Sequence, residues 1–378
     1  MNPAEAAVRC WRSDHSTAPR LRIAKPDAKR SRTTPQRSPS PAADASANID
    51  FAEAGPGAAA TSAQAIWKTG LVTERANPDV PLPADAGRPK VLYVMGAGRS
   101  GSTILGVALG NCENVFFAGE LDRWLPRSGV PRDDPERMRF WSIVREDVDN
   151  AAELFGGKTT CLERSSALLD IRKWPMRRRL RRRYRRVSED LYLAIRRAAG
   201  VTHIVDTSHY PLRARELRAL RGIDLYLLFL VRDPQGVVAS LGRHDVVERR
   251  FGMPRANAYL WLTHLLAVFV FLRHPRDRRL FVRHEDLVAS PESVLRQILD
   301  HCDSSAPPPD LKFLRTGVPF HGNRLIRSEV VALSPRAATP DRVSRVTAVL
   351  QLPWVAVFSR LRPAVSASAS YEAVPAPK

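Results

Sequence analysis

The chain has 378 residues, 44% of them hydrophobic, and a formal net charge of +20 at neutral pH. That length and apolar content allow one large domain or two small ones with a sizeable core, and the charge favours an anionic partner: nucleotide, nucleic acid, acidic membrane or sulfated glycan. The four cysteines, Cys10, Cys112, Cys161 and Cys302, form no CxxC pair and no zinc spacing, which argues for structural thiols in a reducing, cytoplasmic compartment and for no metal site.

Residues 1–85 are rich in Ala, Pro, Ser and Arg and poor in large apolar residues, so a disordered basic tail is expected there. The start, MNPAEAAVRCWRSDHS, lacks the apolar core of a signal peptide. Residues 366–378, SASASYEAVPAPK, read as a second disordered tail. A single domain is expected between them, over 86–365. Its first element is the short apolar run VLYVM (91–95), which gives a strand, then a glycine-rich turn, then the helix STILGVALG. The stretch IRKWPMRRRLRRRYRRVSEDLYLAIRRAAG (171–200) is an Arg-rich helical insertion with Leu180, Tyr184, Val187 and Leu191 on one stripe. Its cations, Arg177–Arg186, read first as a solvated helix face or an insertion on the acceptor side, and second as a patch for an anionic surface at a membrane-peripheral position, with no specific nucleic acid expected. THIVD (202–206) gives a second strand and IDLYLLFLV (223–231) a third, apolar on both faces as a central parallel strand requires. The run Tyr259–Leu272 is too short to span a bilayer and reads as a buried helix. RLFVRHEDL (279–287) gives a fourth strand running into a loop, and ASPESVLRQILDHC (289–302) a helix opened by Ser-Pro. Strands alternating with helices predict an α/β fold: a P-loop-type three-layer sandwich around a central parallel sheet. Ligands of such sheets bind at the carboxyl ends of the strands.

Gly96-Ala97-Gly98-Arg99-Ser100-Gly101-Ser102-Thr103 lies between a strand and a helix. Glycines let successive backbone N–H groups turn toward an anion, and the helix N-terminus adds its dipole. The spacing is that of a P-loop, but Ser102 stands where a kinase carries the lysine that reaches the β- and γ-phosphates. Arg99 supplies a cation inside the loop instead. The loop therefore suits one phosphate better than a metal-bound triphosphate.

A second phosphate-type motif is LLFLVRDPQGVVASLGR (227–243). Arg232 stands at the carboxyl end of a buried strand, Asp233-Pro234 starts a helix, and Ser240 follows two turns along it. An arginine fork and a hydroxyl suit a phosphate dianion.

GAGRSGSTILGVALG resembles the 5′-phosphosulfate loop of sulfotransferases that use 3′-phosphoadenosine 5′-phosphosulfate (PAPS), and the Arg232–Ser240 segment resembles that family's 3′-phosphate site. The resemblance covers roughly residues 90–330. It implies a PAPS-dependent sulfotransferase moving a sulfuryl group to an acceptor hydroxyl on a sugar, lipid, peptide or small molecule. It implies that Gly98, Arg99, Ser100, Gly101, Ser102 and Thr103 hold the 5′-phosphosulfate without a metal, and that Arg232 and Ser240 hold the 3′-phosphate. Glu120, in VFFAGELDRW, matches the glutamate that takes the acceptor proton, beside Asp122 and Arg123. Partial burial is expected to raise its pKa. THIVDTSHYP is similar to the family's V-D-S-S-K-x-P segment, with His209 in place of lysine. FHGNRLIR is similar to a late segment that closes over the nucleotide, through Asn323 and Arg327. RHEDLVASP is similar to a segment in which Glu285 and Asp286 are structural. The alternatives are a P-loop kinase, against which the absent lysine counts, and a non-catalytic basic module for nucleic acid or membrane.

Overall fold

The computed structural model describes residues 87–124, 131, 134–148, 160–242, 252–335 and 344–361. The expected tails, 1–85 and 366–378, and Cys10 lie outside the described residues. Five strands set the frame: β1 Lys90–Gly96, β2 Val115–Gly119, β3 His203–His209, β4 Asp224–Val231 and β5 Arg279–Arg283. They pair in parallel in the order β2-β3-β1-β4-β5, so the two strands that carry phosphate-type motifs, β1 and β4, lie side by side at the centre.

Strand alternation divides the core into two layers. In β1, Val91, Tyr93 and Met95 join one buried cluster, while Leu92 and Val94 join the other. In β4, Leu225, Leu227, Phe229 and Val231 face the first layer, and Tyr226, Leu228 and Leu230 the second. Both faces are buried, which is why these strands carry no polar face. The helices are α1 Ser102–Gly110, α2 Pro135–Glu146, α3 Trp174–Ala199, α4 Pro211–Leu217, α5 Pro234–Gly242, α6 Met253–Leu272, α7 His284–Ala289, α8 Pro291–His301 and α9 Arg345–Leu361. Residues of α2, α3, α4, α6 and α9 fill the first layer, and those of α1 and α8 the second. The result is the expected three-layer α/β sandwich. A two-residue antiparallel pair, β6 Leu314–Arg315 with β7 Val330–Val331, lies apart from the main sheet.

Several local expectations change. VFFAG forms the edge strand β2, which the sequence did not announce because five residues show too little periodicity. After β5 the chain does not enter a loop: it turns directly into α7, whose first turn carries Glu285 and Asp286 on the positive end of the helix dipole. The greasy run after Tyr259 is part of the longer α6, 20 residues, and is not buried all round: Leu265, Phe269 and Leu272 are each about half exposed. By length and composition alone α6 could cross a membrane.

The Arg-rich α3 is built into the core. Tyr184, Val187, Leu191 and Tyr192 are buried against the sheet, and Leu180 packs beside them. Its inward arginines are already used. Arg177 is buried and donates to the Cys161 carbonyl. Arg181 and Arg185 both reach the buried Glu216 at 3.1 and 2.9 Å. Beneath the helix lies a polar knot. Fully buried Arg213 pairs with Asp206 at 3.1 Å and donates to Tyr184 Oη at 2.7 Å, while Tyr192 Oη donates to Asp206 at 2.6 Å. Burial pushes Glu163, 3.6 Å from Arg213, up to about 8 despite that arginine. Asp206 of the VDTS segment thus belongs to this knot, tying β3 to α3 and α4.

Candidate active site

The loop after β1 turns back on itself through two left-handed residues, Arg99 at φ 73° and Gly101 at φ 88°. Glycine is needed at the second: a Cβ on Gly101 would lie 2.4 Å from Nδ1 of His284. Arg99 tolerates the strained conformation, which costs of order 1 kcal/mol and directs its side chain across the loop. The Gly98 N–H donates to Tyr259 Oη at 2.9 Å, tying the loop to α6. Ser100 is buried and its hydroxyl has no hydrogen-bond partner among the described residues. A buried hydroxyl left open beside turned N–H groups and the α1 N-terminus is what an anion-binding loop presents.

Burial, helped by the charge of Arg232, pulls the His284 imidazole down to about 4, so near neutral pH it is an uncharged wall under Gly101.

The second motif meets the first. Asp233 caps α5 by accepting from the Gly236 N–H at 3.2 Å, and its own N–H donates to Glu285 at 2.7 Å. Glu285 therefore pins the turn between β4 and α5, a structural part. Arg232 Nη1 lies 3.5 Å from the Arg99 carbonyl, to which it donates, and Arg99 Nε donates to Ser240 Oγ at 3.2 Å. Three residues of two motifs more than a hundred positions apart form one contact group. The sequence placed Arg99 and Ser240 in different subsites; the structure puts their side chains in contact.

Glu120 follows β2. Its N–H donates to the His321 carbonyl at 2.8 Å, and its Oε2 is 3.1 Å from His321 Nδ1. Gly119, at φ 78°, explains the Gly-Glu pair: a Cβ there would lie 2.3 Å from the same His321 carbonyl. Burial pulls the Glu120 carboxyl upward, but the hydrogen bond from His321 and the charges of His209, His321 and Arg123 outweigh it. The carboxyl is held below its usual range, the reverse of the rise expected from burial alone. Arg123 Nε stands 3.7 Å from Glu120 and 3.6 Å from Asp122. Asp122 is buried and, mainly for that reason, is pushed up.

His209 ends β3 at φ 54°, with its ring 4.4 Å from that of Tyr210 and its Nε2 3.9 Å from where a Gly98 side chain would begin. It therefore reaches the loop after β1. The segment 320–327 reaches it too: a side chain at Gly322 would sit 3.6 Å from Thr103. Asn323 is engaged locally, its Oδ1 accepting from the Leu325 N–H at 2.8 Å to cap a turn at Arg324–Arg327. Arg327 is exposed at the end of that turn. The residues that sequence reasoning missed are His321, Tyr259 and His284. Each arrives from a distant segment, and only the glycine beside His321 hinted at a close approach.

A sulfotransferase family model matches residues 91–308, more than half of the chain. No curated protein matches by sequence. Among solved structures, the sulfotransferase domain of the Synechococcus PCC 7002 olefin synthase is 19% identical, with 73% of this chain and 98% of that one aligned and a TM-score of 0.43. The sulfotransferase domain of the curacin biosynthetic pathway gives 17% identity, 71% and 98% coverage and a TM-score of 0.41. A sulfotransferase from Alicyclobacillus acidocaldarius gives 13%, 72% and 92%, and 0.34.

Proposed function

The chain belongs to the sulfotransferase family and transfers a sulfuryl group from PAPS to an acceptor hydroxyl; we propose that it does so with the residues gathered at the carboxyl ends of β1, β2 and β4. The observation that carries this assignment is the meeting of Arg99, Arg232 and Ser240 beside an anion-type loop whose Ser100 hydroxyl is open.

PAPS, when bound, supplies an activated sulfuryl group whose bridging oxygen leaves with the electron pair of the broken S–O bond. The N–H groups of Arg99–Thr103 and the hydroxyls of Ser100, Ser102 and Thr103 would hold the 5′-phosphosulfate, while the Gly98 N–H is taken by Tyr259. Arg232 and Ser240 hold the 3′-phosphate. Arg99, in contact with Ser240 and lodged inside the loop, would offset charge on the leaving oxygen. Glu120 takes the acceptor proton as the acceptor oxygen bonds to sulfur, and His321 orients the Glu120 carboxylate. A weak base is adequate because the proton departs only as the new bond forms, and positioning supplies much of the rate. His209, beside Gly98, lines the same space. No metal enters this scheme: the loop cation is Arg99, and Ser102 occupies the position of a kinase lysine.

The test is calorimetric titration with adenosine 3′,5′-bisphosphate, with EDTA and with magnesium. The expected result is micromolar or tighter binding in both buffers and a loss of at least a hundredfold in Arg232→Ala, about the 3 kcal/mol of a charge-assisted phosphate contact. Binding that requires magnesium, or an Arg232→Ala variant with wild-type affinity, overturns the assignment.

A further inference from the structure

The outer side of the helical layer formed by α3, α6 and α9 is unusual for a water-facing surface. On α6, Leu265, Phe269 and Leu272 recur at helical spacing and are 54%, 48% and 51% exposed. On α9, Val349, Leu352 and Val355 are 70%, 64% and 51% exposed. The two helices lie together: Trp261 Nε1 donates to the Leu350 carbonyl at 2.8 Å, and Trp261 and Trp354 meet edge to face at 5.0 Å. The apolar side chains of both therefore form one patch, of the kind that marks an interaction surface. Neither helix contains an Asp, Glu or Lys, and their charged residues are arginines near the ends: Arg255, Arg345 and Arg360. Arg273, just past α6, lies over the Phe269 ring at 3.5 Å.

Helix α3 packs its inner side into the same layer, against the same sheet face, as α6 and α9. Its outer side carries Arg178, Arg179, Arg182, Arg183 and Arg186, all exposed. The first four pair with no carboxylate among the described residues, and Arg186 only approaches Asp190, at 3.9 Å. The arginines that the fold consumes, Arg177, Arg181 and Arg185, are on the other side of the helix. The exposed row follows i, i+4, i+8 spacing, so it is a face and not a scatter.

We propose that this layer docks on an anionic phospholipid bilayer, with the α6–α9 patch entering the headgroup–acyl boundary and the α3 arginines engaging lipid phosphates. Exposed aliphatic and aromatic groups flanked by arginines are the composition of an interfacial helix surface. Charge complementarity decides against a second copy of this chain as the occupant. The face has no acidic row to offer its own arginines, so two copies would bring cationic stripes together. A bilayer containing phosphatidylserine offers both an apolar interior and a negative surface, worth about fivefold in binding per arginine near it. Helix α6 also holds Tyr259, in its N-terminal half, against the loop after β1.

The test is flotation of the full chain with phosphatidylcholine vesicles and with phosphatidylcholine–phosphatidylserine vesicles, at low and high salt. The expected result is binding to the anionic vesicles only, weakening as salt rises. Arg182→Ala with Arg183→Ala should lower it by roughly tenfold or more, and Val349→Asp with Leu352→Asp by a similar factor. Both variants alter exposed positions and should bind adenosine 3′,5′-bisphosphate as the wild type does, which shows that they are folded. Wild-type protein that stays with neither vesicle overturns the proposal. So does a dimer that Val349→Asp with Leu352→Asp converts to monomer while vesicle binding is unchanged, since the patch would then be a self-interface.

Discussion

The carboxyl ends of β1 and β4 and the carboxyl end of β2 lie along the same end of one sheet, with β3 between β2 and β1, yet they are assembled from opposite kinds of sequence. The proposed donor end is local: eight consecutive residues from Gly96 to Thr103 and nine from Arg232 to Ser240 carry nearly every group assigned to the donor. The base end is assembled across the chain. The Glu120 N–H and the carboxylate's hydrogen bond both find their partner 201 positions away, at His321. A strand–loop–helix turn can build an anion cradle alone because backbone N–H groups and a helix terminus suffice. The one local charge beside this carboxylate, Arg123, stands 3.7 Å off, and the hydrogen bond to it comes from a side chain brought in by the fold. The difference predicts that damage at the two ends is read by different observables: donor affinity at one, turnover at the other.

The sharpest break of that division is Glu120→Gln. It preserves shape and removes the proton acceptor, so turnover should fall by about a hundredfold to ten-thousandfold, the range for a positioned general base. Affinity for adenosine 3′,5′-bisphosphate should be unchanged by calorimetry. A variant with wild-type turnover would remove Glu120 from the chemistry, and one with lost nucleotide affinity would show that the two ends are a single site.

A smaller effect is expected from Gly119→Ala. The new Cβ would sit at positive φ and collide with the His321 carbonyl, so strand and strap must part. The positive φ alone costs about 1 kcal/mol, and relief of the collision should move Glu120 away from His321. Thermal stability should drop by a few degrees and turnover should fall, again with nucleotide affinity kept. Full turnover would mean that the exact seat of Glu120 does not matter.

The same division explains what the sequence disclosed. The central strands were legible because IDLYLLFLV is apolar on both faces, and the P-loop-type turn because its glycines and following helix are contiguous. The edge strand β2 was not: five residues of VFFAG carry too little pattern, and its pairing with β3 is decided by the sheet. The arginine count also misled. A charge of +20 suggests a site, but Arg213 is a buried structural ion and Arg181 and Arg185 neutralise Glu216, whereas Arg99 lies in the loop after β1 and Arg232 donates to its carbonyl. Burial by itself suggested a raised Glu120. Only the fold shows the histidine and arginine that reverse the sign.

That reversal gives the finest test, in His321→Ala. As the proposed base, Glu120 would accept a proton only when ionised, so its pKa should set the acid limb of the turnover profile. Burial favours the protonated form, and the His321 hydrogen bond with the surrounding positive charge favours the ionised form more strongly. Removing His321 deletes the largest of the lowering influences and leaves burial in place. The acid limb should therefore move to higher pH, with a proportionate loss below neutrality and a loss on the high-pH plateau of roughly tenfold or less from the poorer aim of the carboxylate. His321→Asn keeps an N–H donor near the same place and should recover part of the shift. Nucleotide affinity should stay constant in both variants. A lowered plateau with an unmoved limb would reduce His321 to a packing residue at the end of β2, and the base would then have to be aimed by Arg123, 3.7 Å away.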